Sequence, residues 1–174
     1  MIILDKHSNI KYIYHISDIH IRRYDRHIEY ELVFNNLYTY LNNKDASNSL
    51  IVITGDLLHA KDNLTPDCVV KCYKFLKMLA DIMPVILIAG NHDMVESNKA
   101  IKDSIDAILS ERDIDNLYYL KNSGIYKYGN IIFGASSLLD NKFIKADSID
   151  NHPDYHSDEI LIGLYHGPVN ISSE

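Results

Sequence analysis

The sequence predicts an α/β domain built on a largely parallel core sheet. Three observations predict it. Short apolar, β-branched runs of strand length recur along the chain. Stretches with helical spacing of apolar residues separate them. The residues just after four of the runs are polar and rich in Asp, His and Asn, as expected at strand ends that face a ligand.

The elements follow in order. Residues 11–17 alternate polar and apolar and read as a strand. Residues 27–41 carry Ile28, Leu32, Leu37 and Leu41 at helical spacing, and a polar loop over 42–49 follows. Residues 50–54 form an apolar, β-branched run, the mark of a strand covered on both faces. Thr65-Pro66 opens a second helix, with Thr as N-cap and Pro at the first helical position, running to about Ile82. Pro84 ends it, and 85–89 is the next buried strand. A third helix is expected over 97–110 through Ile101, Ile105, Ile108 and Leu109. Residues 117–120, 125–128 and 131–136 read as shorter strands, 140–158 as polar and irregular, and 160–165 as a last strand.

The chain has 174 residues, 47% of them hydrophobic, and a formal net charge of −7. That length suits one compact domain, and that apolar fraction excludes a disordered chain. No stretch reaches the ~18 unbroken apolar residues of a membrane span. Met1 to Asp5 meets an acid too soon for a signal peptide. The acidic balance argues against a basic nucleic-acid coat. Cys68 and Cys72 sit four apart on one helix face, a poor geometry for a disulfide, and read as buried thiols of a reducing, intracellular compartment (cytoplasmic or nuclear). The skew toward Ile, Asn, Tyr and Lys follows AT-rich codons and says nothing about chemistry.

Chemistry concentrates after the strands: Asp18-Ile19-His20, Gly55-Asp56-Leu57-Leu58-His59, Gly90-Asn91-His92-Asp93 and Tyr165-His166-Gly167-Pro168. Each fragment alone is commonplace. Four in order, each where a strand should end, deliver carboxylate, imidazole and amide oxygen to one sheet edge. That donor set suits Mn²⁺, Fe²⁺ or Zn²⁺, and the lack of cysteine disfavours a structural zinc site.

These motifs resemble the signature of the calcineurin-like metallophosphoesterases. The flanks, Gly55 to Lys61, Asp18 to Arg22 and Tyr165 to Val169, are most similar to the SbcD branch of DNA double-strand-break repair nucleases. The resemblance implies a metallophosphoesterase fold: a β-sandwich of mixed sheets flanked by helices in α-β-β-α layers, with residues 1–174 forming the N-terminal and central part of the family domain. It implies two divalent metal ions, Mn²⁺ foremost, with Fe²⁺, Mg²⁺ or Zn²⁺ as alternatives. Two cations about 3.5–4 Å apart neutralise an anionic phosphodiester and lower the pKa of a bridging water. By resemblance, Asp18 and His20 bind the first metal, Asp56 bridges both, and Asn91 and His166 bind the second. His92 is the implied general acid, with Asp93 fixing its tautomer; a histidine near its unperturbed pKa of about 6.5 can donate at neutral pH. A third metal ligand or a capping group is the other reading of His92. His59 resembles a substrate-positioning residue, against a plain surface histidine. Arg22, Arg23, Arg26 and Lys61 would attract a phosphate backbone, against solvated loop charge.

The same resemblance implies DNA as substrate, an SMC-like ATPase partner of the SbcC type, a homodimer and no membrane. A phosphatase or phosphodiesterase on small molecules or phosphoproteins, and a non-catalytic scaffold, are the competing functions. His15 reads as a satisfied core histidine, and His152 and His156 as loop residues within conceivable reach of the site. The tyrosines read as half-buried strand residues. The family pattern closes on Gly-His-x-His, which this chain does not contain, ending eight residues after His166. Each metal would then lack one protein ligand and a sheet edge would stay open. A piece of a longer protein, a truncated product, and ligands from another chain all account for that.

Overall fold

The computed structural model describes residues 1–23, 26–59, 64–94, 103–110, 113–140 and 142–168. Strands β1 (Ile2–Asp5) and β2 (Tyr12–Ile16) lead to helix α1 (His27–Asn42) and a 3₁₀ turn, Ala46–Asn48. Then come β3 (Ser49–Thr54), α2 (Pro66–Ile82), β4 (Val85–Ile88), α3 (Ser104–Leu109) and β5 (Leu117–Tyr119). The chain continues through β6 (Gly124–Tyr128), β7 (Ile131–Ser136), α4 (Ala146–Asp150) and β8 (Ile160–Tyr165).

The strands make two four-stranded sheets, ordered β2-β3-β4-β5 and β1-β6-β7-β8. The first is wholly parallel, as expected. The second is mixed: β1 and β8 run parallel to their neighbours, while β6 and β7 form an antiparallel hairpin. The alternation of side chains along β3 and β4 shows why both strands are continuously apolar. Ile51, Ile53, Val85 and Leu87 face α1, α2 and α3, whereas Leu50, Val52, Ile86 and Ile88 face Tyr126, Phe133 and Leu164 of the second sheet. On that sheet's far side, Gly134 leaves room for Ile144 and for Ile149 of α4. The layers are therefore α-β-β-α.

α2 follows the sequence closely. Thr65 accepts the Cys68 N–H at 3.3 Å, Pro66 opens the helix, and Cys68, Cys72, Phe75, Leu76, Leu79 and Ala80 form its buried face. Both cysteines are buried free thiols. α1 departs from the expected stripe. Its buried residues are Phe34, Tyr38 and Leu41, while Ile28 and Leu32 are 82% and 61% exposed. The rings decide this: Phe34 lies 4.3 Å from Phe75 by ring centroids, and aromatic contact outweighs the smaller side chains.

Three further differences have simple causes. β1 was not expected, because a short edge strand with Ile2 and Ile3 half exposed carries no alternation. α4 was not expected, because one buried residue, Ile149, makes no period. His15 is not a core histidine. β2 is an edge strand, and His15 is exposed, with its Nε2 at 2.7 Å from Thr54 Oγ1. The helix expected over 97–110 is seen as α3, with 97–102 outside the described residues. Among the described residues, no helix is long and apolar enough to cross a membrane.

Candidate metal centre

The carboxyl ends of β2, β3 and β4, with the residue after β8, build the site. The loops after β2 and β3 run side by side and keep pairing. Asp18 N–H donates to Gly55 O (3.2 Å), His20 N–H to Asp56 O (2.9 Å) and Ile21 N–H to Leu57 O (2.9 Å). To turn within so few residues, Asp18, His20 and Asp56 adopt left-handed backbone conformations, with φ of 55°, 50° and 52°. Such residues cost roughly 1–2 kcal/mol each and cluster at functional sites. Gly55 and Gly90 let the β3 and β4 loops touch. A Cβ on Gly55 would lie 2.5 Å from Gly90 N, and one on Gly90 would lie 2.2 Å from Asp56 Oδ1.

Asp56 is the hub. It is 3% exposed. Its Oδ1 accepts the His92 N–H at 2.9 Å and lies 3.3 Å from His166 Nε2, while Oδ2 lies 3.4 Å from His20 Nε2. Potential ligand atoms of His20, Asp56 and His92 form one group within 4.8 Å, and those of Asp18, Asp56 and His166 form a second. Asp56 belongs to both. The Ser17 hydroxyl, 2.5 Å from Asp18 Oδ2, holds the Asp18 carboxyl below its usual pKa against the opposing effect of burial, with nearby histidines assisting.

The donor chemistry fits divalent cations. His166 Nδ1 donates to the Thr54 carbonyl at 2.7 Å, which fixes the tautomer and leaves the Nε2 lone pair on the other side. That nitrogen faces Asn91 Oδ1 at 3.1 Å and Asp56 Oδ1 at 3.3 Å. An imidazole nitrogen facing a carboxylate oxygen and an amide at these distances is a donor set that suits a shared cation. His20 Nδ1 is buried without a hydrogen-bond partner among the described residues. The structure thus brings Asp18, His20, Asp56, Asn91 and His166 together at one place.

His92 and Asp93 do not form the expected pair. His92 Nδ1 donates to the His59 carbonyl at 2.8 Å, so a backbone oxygen orients the imidazole. Asp93 is fully buried, and its carboxylate accepts three backbone N–H groups: Gly90 (2.9 Å), Leu57 (3.2 Å) and Leu58 (3.0 Å). It clamps the β3 loop to the β4 loop, and the Asp56–His92 bond returns the tie. Burial raises the Asp93 pKa, with Asp56 adding to it, against the pull of the three N–H donors. Because its folded pKa lies above the unfolded value, this group by itself favours the fold at acid pH, and that contribution is lost as pH rises through the folded pKa. The clamp outweighs that in one respect. Asp93→Ala strands three buried N–H groups and is expected to cost about 3 kcal/mol or more, measured by urea unfolding in EDTA.

His59 stacks on His92 (centroids 5.9 Å, planes 16° apart) and meets His20 edge-on at 5.5 Å. Burial, then the Arg22 guanidinium and the other two imidazoles, lowers its pKa, so at neutral pH it acts as a neutral hydrogen-bonding group. Arg22 is exposed and its carbonyl accepts from His27 Nε2 at 2.7 Å. Arg23 is half-buried. Arg26 is exposed and paired with Glu29 at 2.5 Å. Lys61 lies outside the described residues. His152 accepts from the Met1 ammonium at 2.8 Å, and His156 lines a polar cavity of about 580 Å³ with Lys6 and Glu159; neither joins the metal-ligand groups.

Several contributors escaped the sequence reading. Tyr30 of α1 donates its hydroxyl to the His20 carbonyl at 2.6 Å, steadying that left-handed residue. The Thr54 and His59 carbonyls orient His166 and His92. Backbone oxygens leave no sequence signal, and Tyr30 is one of many tyrosines.

Comparison with known proteins agrees with this geometry. The chain is 42% identical over 171 residues to Uncharacterized protein R555 of Acanthamoeba polyphaga mimivirus, covering 95% of this chain and 13% of the relative. It is 27% identical over 104 residues to a protein named Putative phosphoesterase 244L of Invertebrate iridescent virus 6, covering 59% of this chain and 36% of that one. The chain thus spans a minor part of the length of both relatives. Residues 11–172, which hold every strand-end motif, match the calcineurin-like phosphoesterase family, and the chain belongs to that family.

Proposed function

We propose that this chain is a metal-dependent phosphodiesterase acting on DNA, a nuclease of the SbcD type. The sharing of Asp56 between two groups of potential ligands carries the hydrolytic part of the reading. Two bound divalent cations, Mn²⁺ foremost, would supply charge neutralisation of the phosphodiester and a water of lowered pKa. Asp18, His20, Asp56, Asn91 and His166 would hold them. His92, kept in one orientation by the His59 carbonyl, would protonate the leaving sugar oxygen. His59 and Arg22 would position the scissile phosphate, with Arg23 and Lys61 further along the backbone.

The resemblance of the motif flanks to the SbcD branch supports DNA over a small ester. The net charge of −7 means that affinity for DNA would rest on the local rim and on a partner, for which an SMC-like ATPase and a second copy of this chain are the proposed candidates. Such a role places the protein inside the cell, in cytoplasm or nucleus.

The test is hydrolysis by the 174-residue chain with up to millimolar Mn²⁺. The substrates are end-labelled single- and double-stranded DNA and bis(4-nitrophenyl) phosphate. The expected result is cleavage of both classes, stopped by EDTA. Cleavage of the aryl diester alone would make it a small-molecule phosphodiesterase and overturn the DNA assignment.

A further inference from the structure

Asp93 has a second tie, leading away from the site. Its backbone carbonyl accepts the N–H of Ser104, the first residue of α3, at 3.0 Å. The preceding residue, Asp103, caps that helix by accepting the Asp106 N–H at 2.7 Å. The other Asp103 oxygen, Oδ2, is buried and has no hydrogen-bond partner among the described residues. Facing it at 3.4 Å is Nζ of Lys121, just beyond β5, which also pairs with Asp106. The Asp103 side chain has no exposed surface, whereas that of Lys121 is 37% exposed. A buried carboxylate without a counter-charge is unfavourable enough to move or take up a proton. The Lys121 ammonium is therefore the positive charge that faces Asp103 at the head of α3, beside the buried Tyr119 hydroxyl.

We infer that Lys121 is a positioning residue for the Gly90–Asp93 turn, acting through Asp103 and the Ser104 N–H on the Asp93 carbonyl. The turn carries Asn91 and His92. The Asp93 carboxylate and the His92 N–H tie it to the β3 loop and the Asp93 carbonyl ties it to α3, so loosening α3 frees its tie on the helix side. The surface charge of Lys121 thus bears on the placement of the proposed general acid, although no motif includes it. The kinetic part of this inference rests on the phosphodiesterase reading; its structural part does not.

The test uses Lys121→Met, Lys121→Arg and Ser104→Pro in the 174-residue chain. One readout is hydrogen exchange of the His92 amide, which donates to Asp56 Oδ1. The other is kcat and KM on bis(4-nitrophenyl) phosphate. Lys121→Met is expected to speed His92 amide exchange by about tenfold and to lower kcat between about ten- and a hundred-fold with KM unchanged. Lys121→Arg should restore both. Ser104→Pro removes the N–H and sets the ring Cδ against the Asp93 carbonyl, breaking that tie at a first helical position that accepts Pro, and should reproduce the kcat loss with α3 intact. Wild-type exchange and kcat in Lys121→Met would overturn the inference. If Lys121→Met fails to fold, Ser104→Pro decides it, and wild-type exchange at His92 in that variant refutes it. An inactive wild-type chain would sink the phosphodiesterase reading while the exchange data still decide this one.

Discussion

Asp56→Asn is expected to abolish metal binding and hydrolysis together while leaving the metal-free protein folded. The substitution is well matched to the backbone, because Asn tolerates the left-handed conformation that Asp56 adopts at φ 52°. Its failure would be chemical. Asp56 presents one oxygen toward His166 and His92 and the other toward His20. An amide can offer an oxygen to only one side and places an N–H₂ group at the other. Loss of the shared anionic ligand should weaken Mn²⁺ binding by more than about a hundred-fold, near 2.7 kcal/mol. In EDTA the variant should unfold at the wild-type temperature or above it, since a buried charge is gone. Thermal scans with and without Mn²⁺ check both halves: a metal-dependent rise in Tm for the wild type and none for the variant.

His92→Ala should cut turnover by about 10²–10⁴-fold with Mn²⁺ affinity nearly intact. The structure makes this a sharper question than the sequence did, because a His92 ring nitrogen lies within 4.8 Å of potential ligand atoms of both His20 and Asp56. A proton donor and a third ligand could both stand there. Titration of the variant with Mn²⁺ separates them: retained affinity with lost kcat identifies the acid, and lost affinity identifies a ligand. The backbone N–H of residue 92 still reaches Asp56 in the variant, so the turn itself should persist.

The sequence exposed the parts of this architecture that depend on side-chain period and type. β3 and β4 are legible because both faces are buried, and α2 because its cap, its Pro and its apolar stripe agree. The cluster at the strand ends was legible because Asp, His and Asn recur in order just after the strands that the structure brings side by side. What was hidden is tertiary. β1 and α4 gain their structure from neighbours rather than from any pattern of their own. The exposure of Ile28 and Leu32 depends on which face of α1 meets Phe75. The exposed position of His15 depends on β2 lying at a sheet edge. The exchange of roles at His92 was equally hidden. Asp93 is its neighbour in sequence, yet its carboxylate turns inward to three backbone N–H groups, and a carbonyl from another loop takes its place.

The central claim is a two-cation centre organised on Asp56. Isothermal titration of the metal-free 174-residue chain with Mn²⁺ tests it most directly. Saturable binding of two ions per chain, lost in Asp56→Asn, is the expected result. No heat of binding at millimolar Mn²⁺, or binding that survives Asp56→Asn unchanged, would contradict it.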